Sequence, residues 1–319
     1  MNIEPNFQEE LKKIEEKIQD AEENLGDVEV RDAIFEKASI LRKMNKIEEA
    51  VEVFELALKR SVGISKKLEV RVAMLQMYLE LLDLDKIKLT IDQSKKLLEE
   101  GGDWERKNKI KVYEGLYYVM IRKFREAANL FLDAIPTFNS PEVISFNDLV
   151  FYTVLTSMVS LDRAEIRKRV IHSPDILTVI KDLPELKTFL DSFYRCQYQS
   201  FFVTFLSIID KINADAYLSP HKKYFVREMR LVVYQQFLES YKTVTLENMA
   251  KAFGVSSSFI DSEISAFIAS RRLNCKIDKI SGLIESQKSD KRNNLYQNAV
   301  KKGDSLLNKL QKLARIADV

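Results

Sequence analysis

The stretch Thr245-Leu246-Glu247-Asn248-Met249-Ala250-Lys251-Ala252-Phe253-Gly254-Val255 decides how the second half of the chain folds. Leu246, Met249, Ala250 and Phe253 fall on one face of a short helix, and Thr245 stands where an N-cap hydroxyl belongs. Gly254 follows where a helix ends in a left-handed residue, a conformation that glycine adopts without strain. Ser256 to Ser258 then supply a second cap, and Ile260, Ile264, Phe267 and Ile268 stripe a second helix. That is helix-turn-helix spacing. Beyond Arg271 and Arg272, the residues Leu273, Cys275 and Ile277 alternate with Asn274, Lys276 and Asp278, the period of a half-buried strand. Ile280 to Ile284, around Gly282, is predicted as its hairpin partner. Helix, turn, helix, strand, strand is a winged helix.

The charge on this unit speaks against DNA. A groove-reading helix presents Arg, Lys, Asn or Gln to base edges. The second helix instead turns outward Ser257, Ser258, Asp261, Ser262, Glu263 and Ser265, which would press two carboxylates against phosphates. Only Arg271 and Arg272 are basic, at the far end, where they also suit the helix dipole. A short wing edge has another use, because its main chain can add a strand to a neighbouring protein or receive one. The candidate interface residues there are Leu273, Asn274, Cys275, Lys276, Ile277 and Asp278.

Working upstream, Ile47, Ala50, Phe54 and Ala57 are spaced 3, 4 and 3. Ile87, Thr90, Ser94 and Leu97 keep those offsets 40 residues later, and Phe124, Ala127, Phe131 and Ala134 repeat them 37 residues after that. A bulkier version returns at Tyr198, Phe201, Phe205 and Ile208, 74 residues on. Helical stripes at this period imply one helix pair per repeat, with small residues that let the partner helix approach closely. Each stripe is expected to follow a shorter apolar helix, such as the one carrying Ala33, Ala38 and Leu41. In the third pair Asp103 is expected to cap the helix that carries Val112, Tyr113, Leu116 and Val119.

Composition removes most chemistry. The 319 residues include only 8 Gly and 6 Pro while 31% are charged, a balance that favours amphipathic helices over turn-rich β folds. Lys plus Arg against Asp plus Glu is 50 to 48, so no overall basicity invites nucleic acid or an anionic membrane. Cys196 and Cys275 cannot form a four-ligand zinc site and read as reduced, buried thiols of a cytoplasmic or nuclear protein. His172 and His221 exclude any two-histidine metal motif and read as structural or solvated. No two glycines form a GxG, and no GxSxG accompanies the serines, so neither a phosphate cradle nor a nucleophile elbow is present. The longest uncharged run, Cys196 to Ile209, is 14 residues, too short to span a bilayer. No catalytic, cofactor-binding or metal-ligating residue is predicted.

The two ends carry coiled-coil registers. Phe7, Leu11, Ile14, Ile18, Ala21 and Leu25 form one seam, inside a segment of 36 residues with 12 acidic and 4 basic side chains. Ala299, Gly303, Leu306, Leu310, Leu313 and Ala317 form the other, and from Lys288 to Arg315 there are 8 basic and 2 acidic side chains. Ala299, Gly303, Leu306, Leu310 and Leu313 are therefore candidate contacts of a helical bundle.

Solenoid, winged helix and terminal helix together resemble the PCI family, the scaffold subunits of the proteasome lid, the COP9 signalosome and a translation initiation factor. Several strings look like its proteasome-lid branch of non-ATPase regulatory subunits. Among them are Gly101-Gly102-Asp103-Trp104-Glu105-Arg106, Tyr224-Phe225-Val226-Arg227-Glu228-Met229-Arg230, Cys275-Lys276-Ile277-Asp278-Lys279 and Lys301-Lys302-Gly303-Asp304-Ser305-Leu306-Leu307-Asn308. The resemblance implies an all-α fold: a right-handed TPR-like helical-repeat solenoid ending in a winged-helix (PCI) subdomain with a small β-hairpin or sheet, plus a C-terminal helix. The domains expected are an acidic helix over 1–36, TPR-like repeats over 37–190, a PCI domain over 123–291 and a bundle helix over 292–319. Within the PCI domain the helical part covers 123–240 and the winged helix 241–291. The resemblance further implies a non-catalytic scaffold in ubiquitin-dependent proteolysis, working in cytoplasm and nucleus. Its partners would be neighbouring PCI subunits of the lid, the lid helical bundle and the proteasome ATPase base, with no membrane, nucleic acid or cofactor. A signalosome subunit and a nucleic-acid-binding PCI protein are the alternatives. This chain begins where family members already have a further N-terminal helical stretch, so contacts made there are not carried over.

Overall fold

The computed structural model describes residues 4–24, 26–44, 46–101, 103–138, 144–286 and 291–317. The helices of the first part are α1 (Glu4–Asn24), α2 (Asp27–Lys43), α3 (Ile47–Arg60), α4 (Ile64–Leu81), α5 (Leu84–Glu99), α6 (Trp104–Met120) and α7 (Phe124–Ala134). Then come α8 (Phe146–Ser160), α9 (Arg163–Ile166), α10 (Pro174–Ile180), α11 (Pro184–Tyr194), α12 (Tyr198–Ala214) and α13 (Lys222–Glu239). The last part holds β1 (Thr243–Thr245), α14 (Leu246–Phe253), α15 (Ser257–Ala269), β2 (Cys275–Asp278), β3 (Leu283–Ser286) and α16 (Lys291–Ala317). The result is a helical-repeat solenoid ending in a winged helix with a small sheet, followed by a terminal helix. Two compact units divide it, Met1–Lys187 with Lys211–Lys222, and Thr188–Asp210 with Lys223–Val319.

In the first unit the helices pack as pairs, α2 on α3, α4 on α5 and α6 on α7. The stripes form the seams. Ala50, Phe54 and Ala57 are buried, as are Phe124, Ala127, Phe131 and Ala134. In the middle pair Thr90 and Ser94 take the small positions. Each buries its hydroxyl by donating to the carbonyl four residues back, Thr90 to Lys86 at 2.8 Å and Ser94 to Thr90 at 2.7 Å. The first helix of each pair is the longer one, 17 against 14 residues, 18 against 16 and 17 against 11. The expected shorter helix is thus reversed, because these helices bury a broad face that continues past the stripe they meet. Successive first helices are tied by ion pairs 38 residues apart, Arg31 to Glu69 at 2.9 Å and Arg42 to Glu80 at 2.6 Å. Those pairs carry the repeat period in their spacing.

The scarcity of glycine has a structural counterpart in the turns. Asp83 N–H donates to the Tyr78 carbonyl, Lys123 to Tyr118, Gln197 to Ser192 and Arg272 to Phe267, the six-to-one bond that closes a helix C-terminus. The left-handed residue each such turn needs is not glycine but Leu82, Arg122, Cys196 and Arg271, at φ 57°, 64°, 60° and 56°. Among the described residues Gly254 alone fills that position with glycine, at φ 69°, closing α14 as its place in the sequence predicts. Thr245 and Ser256 accept from the amides of Asn248 and Phe259 and so cap α14 and α15. Asp103 occupies the cap position of α6, but its carboxylate accepts no capping hydrogen bond. The acidic segment read as one helix over 1–36 divides at Gly26, whose extended backbone starts α2, so residue 36 lies inside that second helix.

The second unit is built on aromatic rings. Phe189, Phe201 and Phe205 stack at centroid distances of 4.9 and 5.5 Å along α11 and α12. Tyr198, Tyr234 and Phe237 each meet Phe253 of α14, at 4.8, 5.3 and 5.3 Å, which seats the winged helix on α12 and α13. The sheet runs in the order β1-β3-β2 with both pairings antiparallel. The predicted hairpin partner Ile280–Ile284 is displaced, since β3 starts only after Gly282 and Ile280 is fully exposed in the turn. Asp278 forces this turn: its carboxylate accepts from the Ile280 amide at 3.0 Å and the Ser281 hydroxyl at 2.6 Å.

Candidate protein interface

Strand β2 is outermost in the sheet, and the register tells which of its atoms look outward. Leu246 N–H donates to the Gly282 carbonyl and Ser286 N–H to that of Lys242, so even-numbered residues of β3 bond toward β1. Odd-numbered residues Leu283 and Glu285 therefore bond toward β2, where they face Asp278 and Lys276. The main-chain groups of Cys275 and Ile277 are left pointing to the open edge. Their side chains turn to the core, Cys275 buried and Ile277 half-buried, together with buried Leu273. Asn274, Lys276 and Asp278 are exposed. The six predicted edge residues thus divide in role: main chain from two, inner face from three, solvent face from three.

Two groups around this edge have shifted protonation. Burial pushes the Cys275 thiol up to about 11. The Ser281 hydroxyl and the Ile280 amide hold the Asp278 carboxyl below the usual carboxylate range. Arg272, just before the strand, is committed elsewhere. Its guanidinium grips the buried Glu228 carboxylate through two bonds of 2.5 Å, which raise its pKa and fix the wing to α13. Glu263 pairs with Arg230 at 3.0 Å, and Asp261 lies 3.7 Å from Lys279. The outer face of α15 thus stays serine-rich, and one of its two basic end residues is an internal strut.

Helix α16 carries the other predicted site. Its 27 residues make a rod about 40 Å long. Leu306, Leu310 and Leu313 are 61, 61 and 62% exposed, Ala299 is exposed and Gly303 half-buried. Leu295, Tyr296, Val300 and Leu307 add exposed apolar area on the same helix. Monomeric soluble proteins rarely expose a run of large apolar side chains this open. Of the acidic-end seam, Ile14 and Ala21 are buried and Leu11 and Ile18 half-buried, while Phe7 and Leu25 lie outside the residues with described side chains. That seam packs on α2 within the chain.

A further surface went unpredicted. Phe202, Val203, Leu206, Val226, Val255 and Phe259 line a cavity of about 500 Å³ in the second unit. Val203 and Leu206 stand exposed on the face of α12 opposite its buried stripe. The signal was present as the uncharged run from Cys196 to Ile209, which length alone had dismissed as a membrane span.

Chemistry is sparse elsewhere. His221 accepts from Arg122 at 3.0 Å, and burial with that guanidinium holds its pKa below the ordinary imidazole value. His172 is exposed beside Arg167. Among the described residues no group of three His, Cys, Asp or Glu side chains is placed to hold a metal ion. No described helix is long and apolar enough to cross a membrane.

A helical-repeat body, a winged helix with an open strand edge and a terminal helix with an uncovered seam define a PCI-type protein, and the PCI domain profile matches residues 206–288. The profile described as 26S proteasome subunit RPN7 matches residues 2–169, more than half of the chain. The profile of the 26S proteasome regulatory subunit RPN7/PSMD6 C-terminal helix matches residues 296–316. The chain belongs to this RPN7/PSMD6 family. It is 50% identical to the 26S proteasome non-ATPase regulatory subunit 6 homolog of Arabidopsis thaliana over 312 residues, 98% of this chain and 81% of that one. It is 49% identical to the 26S proteasome non-ATPase regulatory subunit 6 of Oryza sativa over 313 residues, 98% of this chain and 80% of that one. COP9 signalosome complex subunit 1 of Arabidopsis thaliana is 26% identical over 198 residues, 61% of this chain and 45% of that one.

Proposed function

We propose that this chain is a non-catalytic scaffold subunit of the 26S proteasome regulatory-particle lid, acting in ubiquitin-dependent protein degradation in cytoplasm and nucleus. It holds neighbouring PCI subunits side by side. The edge of β2, through the main chain of Cys275 and Ile277 and the flanking Leu273 to Asp278, takes a strand from one neighbour. Helix α16, through Ala299, Gly303, Leu306, Leu310 and Leu313, enters a bundle with helices of other lid subunits. The acidic α1 end lies toward the ATPase base. Residues 37–190 serve as repeats, 123–291 as the PCI domain and 292–319 as the bundle arm.

The observation that carries this reading is the leucine seam of α16. Leu306, Leu310 and Leu313 would each contribute about 1.5–3 kcal/mol if fully buried, an unusual reserve to leave in water. Family membership supports the choice of complex, and the signalosome alternative rests on a shorter and weaker likeness. The nucleic-acid alternative loses ground because Arg272 is tied to Glu228 and the outward face of α15 holds no unpaired cation.

The test is affinity capture from the native cell of the full chain and of a version ending at Asn294. The full chain is expected to recover proteasome ATPases and lid subunits, and the shortened chain to stay folded yet be left out. Entry of the shortened chain into complete lid in normal amounts would overturn the bundle assignment. Recovery of signalosome subunits in place of proteasomal ones would overturn the choice of complex.

A further inference from the structure

Where α3, α4 and α5 meet, a cavity of about 360 Å³ is lined by Leu58, Arg71, Met74, Tyr78, Leu89 and Gln93. Arg71 lies between residues that α4 buries, Val70 and Met74, so its own helix holds the guanidinium at the groove. The Arg71 Nε is buried and donates to nothing, and no hydrogen bond or ion pair joins this side chain to any described residue. Gln93 Oε1 is buried in the same groove and accepts from nothing. Buried polar atoms are nearly always satisfied, so an unpartnered donor and an unpartnered acceptor on two residues that line one cavity point to a ligand that supplies both complements.

The charges around the groove restrict what that ligand is. Glu55 and Asp85 line it along with Lys59, Lys86 and Arg71, an excess of one positive charge. Lys86 is already engaged, 3.3 Å from Asp83 and over the Tyr78 ring. A run of acidic residues would meet Glu55 and Asp85, whereas a single carboxylate meets the planar fork that suits it best. Burial holds the Arg71 pKa below the usual arginine range, while the nearby Tyr78 and Glu55 act in the opposite direction. Leu89 is 57% exposed, an apolar contact waiting at the groove.

We propose that this groove binds the C-terminal residue of a partner polypeptide. The α-carboxylate sits on the Arg71 guanidinium and the amide N–H of the same residue donates to Gln93 Oε1. The terminal apolar side chain lies against Leu58, Met74 and Leu89. A chain terminus offers carboxylate and N–H on one residue, matching one open donor and one open acceptor. An internal Asp or Glu would have to carry chain on both sides past Glu55 and Asp85. The site belongs to the repeat unit and is independent of the wing edge and of α16.

The test uses the full chain and three fluorescein-labelled octapeptide pools, read by anisotropy. The first ends in Leu, Ile, Met or Phe with a free carboxylate. The second is the same pool with C-terminal amides. The third is amidated and carries an internal Glu beside an apolar residue. The free-carboxylate pool is expected to bind, with loss of about tenfold or more on amidation and in Arg71→Met and Leu89→Asp. Binding by no pool, equal binding after amidation, or preference for the internal-Glu pool would overturn the assignment. So would undiminished binding by a folded Arg71→Met, with folding checked by circular dichroism. Should that variant unfold, Leu89→Asp decides the matter from its exposed position, and unchanged binding there overturns it.

Discussion

Replacing Gly115 by alanine sets two opposing quantities against each other. In a helix interior glycine costs about 0.8–1.0 kcal/mol relative to alanine, so α6 by itself would gain from the change. In the fold an added Cβ would lie 2.4, 2.8 and 2.9 Å from three ring carbons of Phe131 on α7. That ring cannot yield. It is fully buried and stacked on Tyr152 at 6.4 Å, and the Tyr152 hydroxyl donates to the Asp215 carboxylate. Either Phe131 leaves its rotamer or the two helices part, an overpacking cost of about 1–3 kcal/mol. Three ring atoms inside contact distance place the cost near the top of that range, leaving a net loss of about 2 kcal/mol after the propensity gain. Gly115→Ala should therefore lower the melting temperature by about 4–8 °C for a unit of this size. Circular dichroism measures the loss. The chain's single tryptophan, Trp104, opens the same helix and gives a local fluorescence reading. In the background of Phe131→Leu the same substitution should cost little, because the ring it strikes is gone. An equal or raised melting temperature in Gly115→Ala would refute the close approach of α6 and α7.

The turns, the wing and the buried thiol each give a further test. Leu82→Gly relieves a left-handed residue that costs about 1–2 kcal/mol and returns about 0.4–1 through the freer unfolded chain. A rise of about 1–3 °C is expected, and a fall would count against strain in that turn. Ile277→Asp puts a charge on the inner face of the wing, and capture of the neighbouring subunit should fail while the repeats stay folded. Unchanged folding with unchanged capture would show that this face is not buried. The Cys275 thiol, raised by burial to about 11, should resist iodoacetamide at about pH 8 in the folded chain and react once urea unfolds it. Its folded pKa lies above the unfolded value, so its stabilising contribution is full below about 9 and is lost as pH rises toward about 11. Urea midpoints across that window should fall less in Cys275→Ala, and identical slopes would remove the thiol as the cause.

The repeat seams were legible because helix packing leaves a fixed trace: Ala50, Ala57, Ala127 and Ala134 are small where a partner helix must come close. The second helix-turn-helix cap and the Gly254 turn were legible for a similar reason, since few residue types fit those backbone positions. Other features left weaker traces. Three-residue β1 is too short to show a period, and Thr245 reads first as a cap. The Asp278 turn displaced β3 because an aspartate bonding two residues ahead outweighs the alternation of Ile280 and Ile284. Glu228 and Arg272 stand 44 residues apart, and nothing in either local pattern announces their pairing. Arg71 and Gln93 are equally silent, because a missing partner is a property of the folded groove and not of the sequence.

The two proposed contact surfaces do different physical work, and neither is sufficient alone. β2 leaves only Cys275 and Ile277 facing out, so strand addition there adds few main-chain hydrogen bonds, each worth about 0.5–1.5 kcal/mol net. What such an edge supplies is register, since a one-residue slip reverses which side chains meet. The α16 seam supplies area without register, because leucines at heptad spacing accept several partners. Association of two proteins costs an estimated 4–15 kcal/mol in lost freedom, which the edge alone does not meet and three leucines, together about 4.5–9 kcal/mol, meet only toward its lower end. Bound together on one chain, the first contact makes the second intramolecular. The geometry therefore favours an assembly in which α16 provides most of the binding energy and the wing decides who stands next to whom.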